Sequence, residues 1–144
     1  MIKILLPVDD SANARRAVKY VCSLPVQVQA LAVDVLNVQE PIPFAELIAR
    51  APGVDQRQLQ SAHETAGRKI VDEALATLRK AGIKAVGHVR TGDPAVEIAK
   101  LSTETQANQI VLGMRGMGGI ESLVLGSVAT KVIHLAQEPV TLIK

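Results

Sequence analysis

Gly113-Met114-Arg115-Gly116, followed by Gly126-Ser127, is the stretch of this sequence best equipped for chemistry, and its spacing is G-x2-G-x9-G-S. It follows a short apolar run at residues 109–112 and leads into a helical pattern at 123–136. A strand that empties into glycines and then into a helix start is suited to holding phosphate. Glycine admits positive φ and lets a ligand approach the main chain. The N–H groups at a helix start face an anion, aided by the helix dipole. Ser127 adds a hydroxyl donor there. Two other phosphate-binding patterns are excluded. No Gly-Lys-Ser/Thr follows the glycines, as a P-loop requires. A dinucleotide fingerprint begun at Gly116 and Gly118 needs glycine at position 121, where Glu121 stands. The plain alternative is a glycine-rich connector between the fourth strand and the last helix.

The remaining candidates for chemistry are sparse. Asp9 and Asp10 are adjacent, and neighbouring side chains on an extended segment point to opposite sides, which makes a poor carboxylate dyad. His63, His88 and His134 fall in three different elements without metal-ligand spacing, two of them at surface helix positions and one in a strand. Cys22, the single cysteine, lies on an apolar helical stripe and reads as a structural thiol. No catalytic residue and no metal ligand set emerges.

The elements that must position the glycine stretch follow from apolar periodicity. Residues 2–8 form an apolar first strand, ending in Pro7-Val8-Asp9-Asp10-Ser11, where Asp10 or Ser11 caps the next helix. That helix places Ala14, Ala17, Val18, Val21 and Cys22 inward, and Leu24-Pro25 closes it. A second strand lies within 29–38. Residues 39–53 hold three prolines and read as a long irregular connection, a candidate lid, with a short helical turn at 44–48. A long helix spans about 55–80 and Gly82 ends it. Residues 84–89 make the third strand, and Asp93 and Pro94 are N-cap and first position of the next helix. The fourth strand, the last helix and a fifth strand at 140–143 complete a βαβαβαβαβ order, with one helix between each pair of strands. This predicts one doubly wound, five-stranded parallel sheet with helices on both faces. Ligands of such sheets sit beyond the carboxyl ends of the strands, where strand order reverses. The turn after strand one, the end of strand two at Val38 and the glycine stretch all open on that rim.

Composition sets the outer limits. The chain of 144 residues fits one domain, spanning 1–144, and its core is Ala, Val, Ile and Leu, since Trp is absent and Phe and Tyr occur once each. Net charge is +2 with no basic cluster interleaved with aromatics, which argues against nucleic acid as a partner. No apolar run approaches the roughly 18 residues of a membrane span, and the N-terminus is too soon broken by Pro7 for a signal peptide. Lone Cys22 suits a reducing compartment, so a cytoplasmic protein is expected.

On these residues the chain resembles the universal stress protein family over its whole length. The matching pieces are Ile4-Leu5-Leu6-Pro7-Val8-Asp9 with Ser11, Thr91-Gly92-Asp93-Pro94, Ile110-Val111-Leu112-Gly113, the full G-x2-G-x9-G-S spacing and the ending Glu138-Pro139-Val140-Thr141-Leu142-Ile143. The resemblance implies a Rossmann-like fold of the adenine nucleotide alpha hydrolase kind. It implies ATP as ligand, since the glycine spacing marks the ATP-binding members, and leaves open whether Mg2+ accompanies it. By position, Pro7 belongs to the nucleotide-binding residues, and Asp9 and Val38 border the adenosine, with Val38 reading adenine through its main chain and Asp9 near the base or ribose. Gly113, Arg115 and Gly116 line the ribose and phosphates, and Gly126, Ser127 and Val128 hold the phosphates. It also implies a homodimer through Val140–Ile143, and such a short apolar terminal strand at a sheet edge invites self-pairing. Asp10 stands where many relatives have Gly, Asn37 and Arg115 where many have His, and an inward carboxylate at Asp10 would oppose phosphate. The function so implied is an ATP-binding regulatory module of the stress response with at most slow hydrolysis. Two alternatives stand beside it: a homodimeric interaction protein that binds no nucleotide, and a slow ATPase or self-phosphorylating enzyme with Ser127 as acceptor.

Overall fold

The computed structural model describes residues 1–25, 30–50, 52–115 and 125–144. Its elements run β1 (Ile2–Pro7), α1 (Ala12–Ser23), β2 (Leu31–Gln39), α2 (Phe44–Arg50), α3 (Gln56–Lys80), β3 (Lys84–Thr91), α4 (Pro94–Thr105), β4 (Gln109–Gly113), α5 (Ser127–Leu135) and β5 (Val140–Ile143). The five strands form one parallel sheet in the order β3-β2-β1-β4-β5. From β1 the chain builds outward to β2 and β3, then returns to the other side of β1 for β4 and β5. Strand order therefore reverses between β1 and β4.

Central β1 is apolar on both faces because both are covered. Ile4 and Leu6 pack with Val33 and Val35 of β2 beneath Val18 and Val21 of α1 and Val71 and Leu78 of α3. Leu5 joins Leu36 and Ile110 on the opposite face, under Ile98 and Leu101 of α4 and Val132 of α5. Burying such a side chain contributes about 1.5–3 kcal/mol, so these two layers hold the sheet together.

Helix starts obey local chemistry. Ser11 caps α1, its Oγ accepting from Ala14 N–H at 3.1 Å, so Ser11 and not Asp10 is the cap. Asp55 caps α3, accepting from Arg57 N–H at 3.1 Å. Asp93 caps α4 with Pro94 at its first turn and accepts from Val96 N–H at 3.1 Å. Gly82, at φ +77°, follows the end of α3 in the left-handed conformation that stops helices. Cys22 is half-buried on the inner side of α1, and burial pushes its thiol pKa up, as befits a structural sulfur.

Three expectations need correction. The connection from β2 to β3 carries two helices, because the short turn expected at 44–48 is the full helix α2. Strand three continues past residue 89 to Thr91, since Asn37, Val38 and Gln39 of β2 still offer it partners. The last helix begins at Ser127 and ends at Leu135, not at 123–136; residues 123 and 124 lie outside the described part. Leu125 packs on the core from a non-helical position, so it imitated helical periodicity, and Gly126 adopts extended φ −72°, ψ 159° as N-cap.

Candidate functional site

The sheet opens where its order reverses. β1 pairs with β2 along its whole length, from Ile2↔Leu31 to Pro7↔Leu36, but with β4 only at Ile4↔Gln109 and Leu5↔Ile110. Beyond Leu5 and Ile110 those two strands are unpaired, and a cleft of about 750 Å³ lies over the gap. That volume is within the range that holds a drug-sized or nucleotide-sized ligand.

The end of β1 contributes Pro7 and the turn after it Asp9, β2 contributes Val38, the end of β4 contributes Gly113 and the segment after it Arg115, and the start of α5 contributes Gly126, Ser127 and Val128. Eight of the nine residues singled out in the sequence thus line one cleft. Gly116, the ninth, lies outside the described residues, as does the rest of the glycine-rich stretch up to residue 124.

The turn is held by its own side chains. Asp9 Oδ1 accepts from Ser11 N–H at 3.0 Å, and Asp10 Oδ1 pairs with Arg15 Nη1 at 2.9 Å. The two carboxylates are committed to different partners and form no dyad. Asp10, whose carboxylate would oppose an anion, also lines the cleft, and there it is exposed and paired with the Arg15 guanidinium.

The main chain of Val38 has an unusual aspect. β1 ends opposite Leu36, whereas β2 continues to Gln39. Val8 N–H still reaches Leu36 O at 2.8 Å, and there the β1 side of β2 runs out of strand. Peptide groups of alternate residues face the same neighbour. Val38 therefore faces the lane that β1 has left, while Gln39 faces β3 and its carbonyl accepts Gly92 N–H at 3.1 Å. A donor and an acceptor of one residue are thereby presented at the cleft rim.

The α5 end is complementary. Gly126 is the N-cap but has no side chain to accept a first-turn N–H. Its own N–H is engaged by Met114 O at 2.8 Å and its carbonyl accepts Thr130 N–H at 3.0 Å, which fixes the helix start against the end of β4. Ser127 is exposed, with its hydroxyl at the first helical position.

The wall formed by α3 was not foreseen. His63, Ala66 and Ile70 line the cleft together with Gln39, Glu40 and Ile42 from the end of β2 and the segment after it. His63 was expected at a surface position; it is half-buried because the helix turns that face over the cleft mouth. The spacing i, i+3, i+7 from His63 through Ala66 to Ile70 marks one helix face, and it was the available signal. His88 is elsewhere, Nε2 lying 2.8 Å from Asp34 Oδ1 across β2 and β3, and His134 is exposed. Among the described residues no cluster of three or more His, Cys, Asp or Glu is placed to hold a metal ion, and no helix is long and apolar enough to cross a membrane.

A doubly wound parallel sheet with a cleft at its switch point and a helix start in that cleft defines an α/β ligand-binding class. Within it, the family model described as "Universal stress protein family" matches residues 1–144, and the chain belongs to that family. A universal stress protein of Thermus aquaticus is 31% identical, over 98% of this chain and 97% of its own length. The solved structure of MJ0577 from Methanocaldococcus jannaschii superposes with a TM-score of 0.83 at 25% identity, covering 99% of this chain and 94% of that one. The universal stress protein of Archaeoglobus fulgidus, solved in complex with dAMP, shares the fold at a TM-score of 0.69 and 23% identity, covering 100% of this chain and 98% of that one.

Proposed function

We propose that this protein binds an adenine nucleotide, ATP foremost, and acts as a nucleotide-dependent regulatory module of the stress response. The observation that carries the reading is the start of α5: an N-cap without a side chain, followed by Ser127, open on a cleft of about 750 Å³. First-turn N–H groups with no capping oxygen, the helix dipole and a hydroxyl together favour a phosphate chain. At the other end, the main chain of Val38 offers one donor and one acceptor, the combination that an adenine edge satisfies. The Archaeoglobus fulgidus protein, with the same fold, was solved with dAMP. Pro7 and Asp9 would flank the nucleoside, Gly113, Arg115 and Gly116 the ribose and phosphates, and Gly126, Ser127 and Val128 the phosphates. Mg2+ would enter with the phosphates of ATP, keeping most of its water ligands. Binding, with at most slow hydrolysis, is the role proposed, in a homodimer paired along β5.

The test is calorimetric titration with ATP, with and without Mg2+, of wild type and Ser127→Glu. An acidic residue in the first turn suits a helix N-terminus, so the variant keeps its fold while repelling phosphate. Saturable binding by wild type and a loss of about a hundredfold or more in the variant is the expected result. A folded wild type that binds no nucleotide would replace this reading with the interaction protein. Stoichiometric phosphate on Ser127 after incubation with Mg-ATP would replace it with the self-phosphorylating enzyme.

A further inference from the structure

We propose that Asn37 is the positioning residue of the base end of the cleft, and that Gly67 in α3 is side-chain-free in order to leave room for it. The inference rests on the adenine reading above and adds the device that would hold that subsite in shape.

Asn37 lies in β2 immediately before Val38 and is almost completely buried, at 2% exposure. Its Nδ2 donates to Val8 O at 2.8 Å, and its Oδ1 accepts from Gln39 Nε2 at 2.7 Å. The amide can be oriented only this way, because Val8 O is an acceptor and must meet the NH2 group. Val8 is where β1 leaves the sheet, its N–H bonded to Leu36 O at 2.8 Å. The Asn37 amide extends the tie between the two strands by one bond past the end of their ladder. It fixes the turn that carries Asp9 relative to the main chain of Val38. Without that bond the tie between the two rims ends at Val8 N–H on Leu36 O, short of both Asp9 and the peptide groups of Val38.

Gly67 supplies the other half. A Cβ there would sit 2.8 Å from Asn37 Oδ1 and 2.7 Å from Val89 Cγ1, closer than real Cβ contacts run. Any side chain at position 67 would have to displace both the Val89 side chain and the Asn37 amide, or lift α3 off the sheet. The same stretch of α3 carries His63, Ala66 and Ile70 into the cleft, so the glycine also sets how near that wall stands. A buried amide engaged at both ends and a glycine packed against it are a matched pair, and neither is explained by phosphate binding.

The clean perturbation is Asn37→Asp, equal in shape but with an oxygen where Val8 O needs a donor. ATP and inorganic tripolyphosphate, which has no base, are titrated into wild type and variant. ATP affinity falls about tenfold or more, as expected for an unsatisfied buried carbonyl, while tripolyphosphate affinity stays within about twofold. Acidification to about pH 5 protonates the introduced carboxyl, whose pKa burial raises, and restores a donor. ATP affinity relative to wild type at the same pH then recovers, which a merely loosened fold would not do. Gly67→Ala, tested alongside, loses ATP and keeps tripolyphosphate in the same way. Equal losses for both ligands, or none for ATP, overturn the proposal. Should wild type bind no adenine nucleotide, the adenine reading fails by itself, and amide exchange still decides the positioning role. Faster exchange at residues 8–11 in Asn37→Asp, with β4 unchanged, supports it; unchanged exchange there overturns it.

Discussion

Substitution of Gly113 tests whether its missing side chain serves the fold or the ligand. In the sequence it reads as a glycine kept bare so that a nucleotide can come close. In the structure its missing side chain faces α1. A Cβ on Gly113 would lie 2.9 Å from both the carbonyl carbon and the Cβ of Asn13 and 3.2 Å from Ala14 N. Asn13 is buried and two of those three atoms are main chain in the first turn of α1, so no rotamer change relieves the contact. Overpacking costs about 1–3 kcal/mol, and a collision with helix backbone belongs to the upper half, about 2–3 kcal/mol. For a chain of this size that is a fall of about 6–12 °C in melting temperature. Gly113→Ala is therefore expected to lower both the thermal midpoint and the urea midpoint, with an unchanged urea slope. The shift of α1 also moves Ser11 and the turn carrying Asp9, so nucleotide affinity declines as a secondary effect. A variant that melts within about 2 °C of wild type yet loses nucleotide would refute this reasoning and restore the glycine to a purely ligand-facing role.

Two further outcomes follow from the same geometry. Asp93 caps α4 and pairs with Lys131 Nζ of α5 at 2.6 Å, and that hydrogen bond first, then Val96 N–H, holds its carboxyl below the usual range. A lowered folded pKa contributes stability above the unfolded value and loses it as pH falls through the folded one. Melting curves of wild type and Lys131→Met should differ near neutrality and converge between about pH 5 and pH 2; a gap independent of pH would sink the assignment. For the homodimer, β5 is an edge strand among the described residues, paired with β4 on one side, and its four residues are half-buried. Sedimentation equilibrium should give about twice the 15.3 kDa chain mass, and a monomer at every concentration would remove that part of the proposal.

The strands were legible because central parallel strands are apolar on both faces: Ile4, Leu5 and Leu6 carry no polar alternation and are wholly buried. The caps were legible for a local reason, since Ser11 and Asp93 need only the N–H groups two or three residues ahead. The residues at the ends of three strands could be placed on one rim because topology alone brings carboxyl ends together. Features that depend on distant partners were not legible. Leu125 looks helical in sequence and is not, as its apolar side chain serves the core from a turn. His63 looks exposed in a polar half-helix, and only the crossing of α3 over the end of β2 turns it to the cleft. Gly113 and Gly67 read alike whether the space they leave belongs to a ligand, to α1 or to Asn37.

Strand register sets where the cleft lies. β1 has two neighbours, and it keeps β2 for six residues but β4 for only two. The chain after Pro7 turns into α1, whose first turn packs against Gly113 at the end of β4. Since α1 covers one face of the sheet, its start closes the gap between β1 and β4 from that side alone. On the other face α4 and α5 stand over the gap, and α5 begins there, with Gly126 held by Met114 at the end of β4. The opening is thus bounded by a helix start on one face, and by α3 and the extended end of β2 beyond it. On the proposed reading, a ligand in it would bring an anionic end to α5 and a flat, hydrogen-bonding end to Val38. Those two ends would be met mainly by backbone, through N–H groups at a helix start, with the Ser127 hydroxyl beside them, and a peptide beyond the end of a ladder. On that reading the side chains of His63 and Glu40 at the cleft are secondary to the backbone, and the buried amide of Asn37, bonded to Val8 O, is the one proposed to hold its shape.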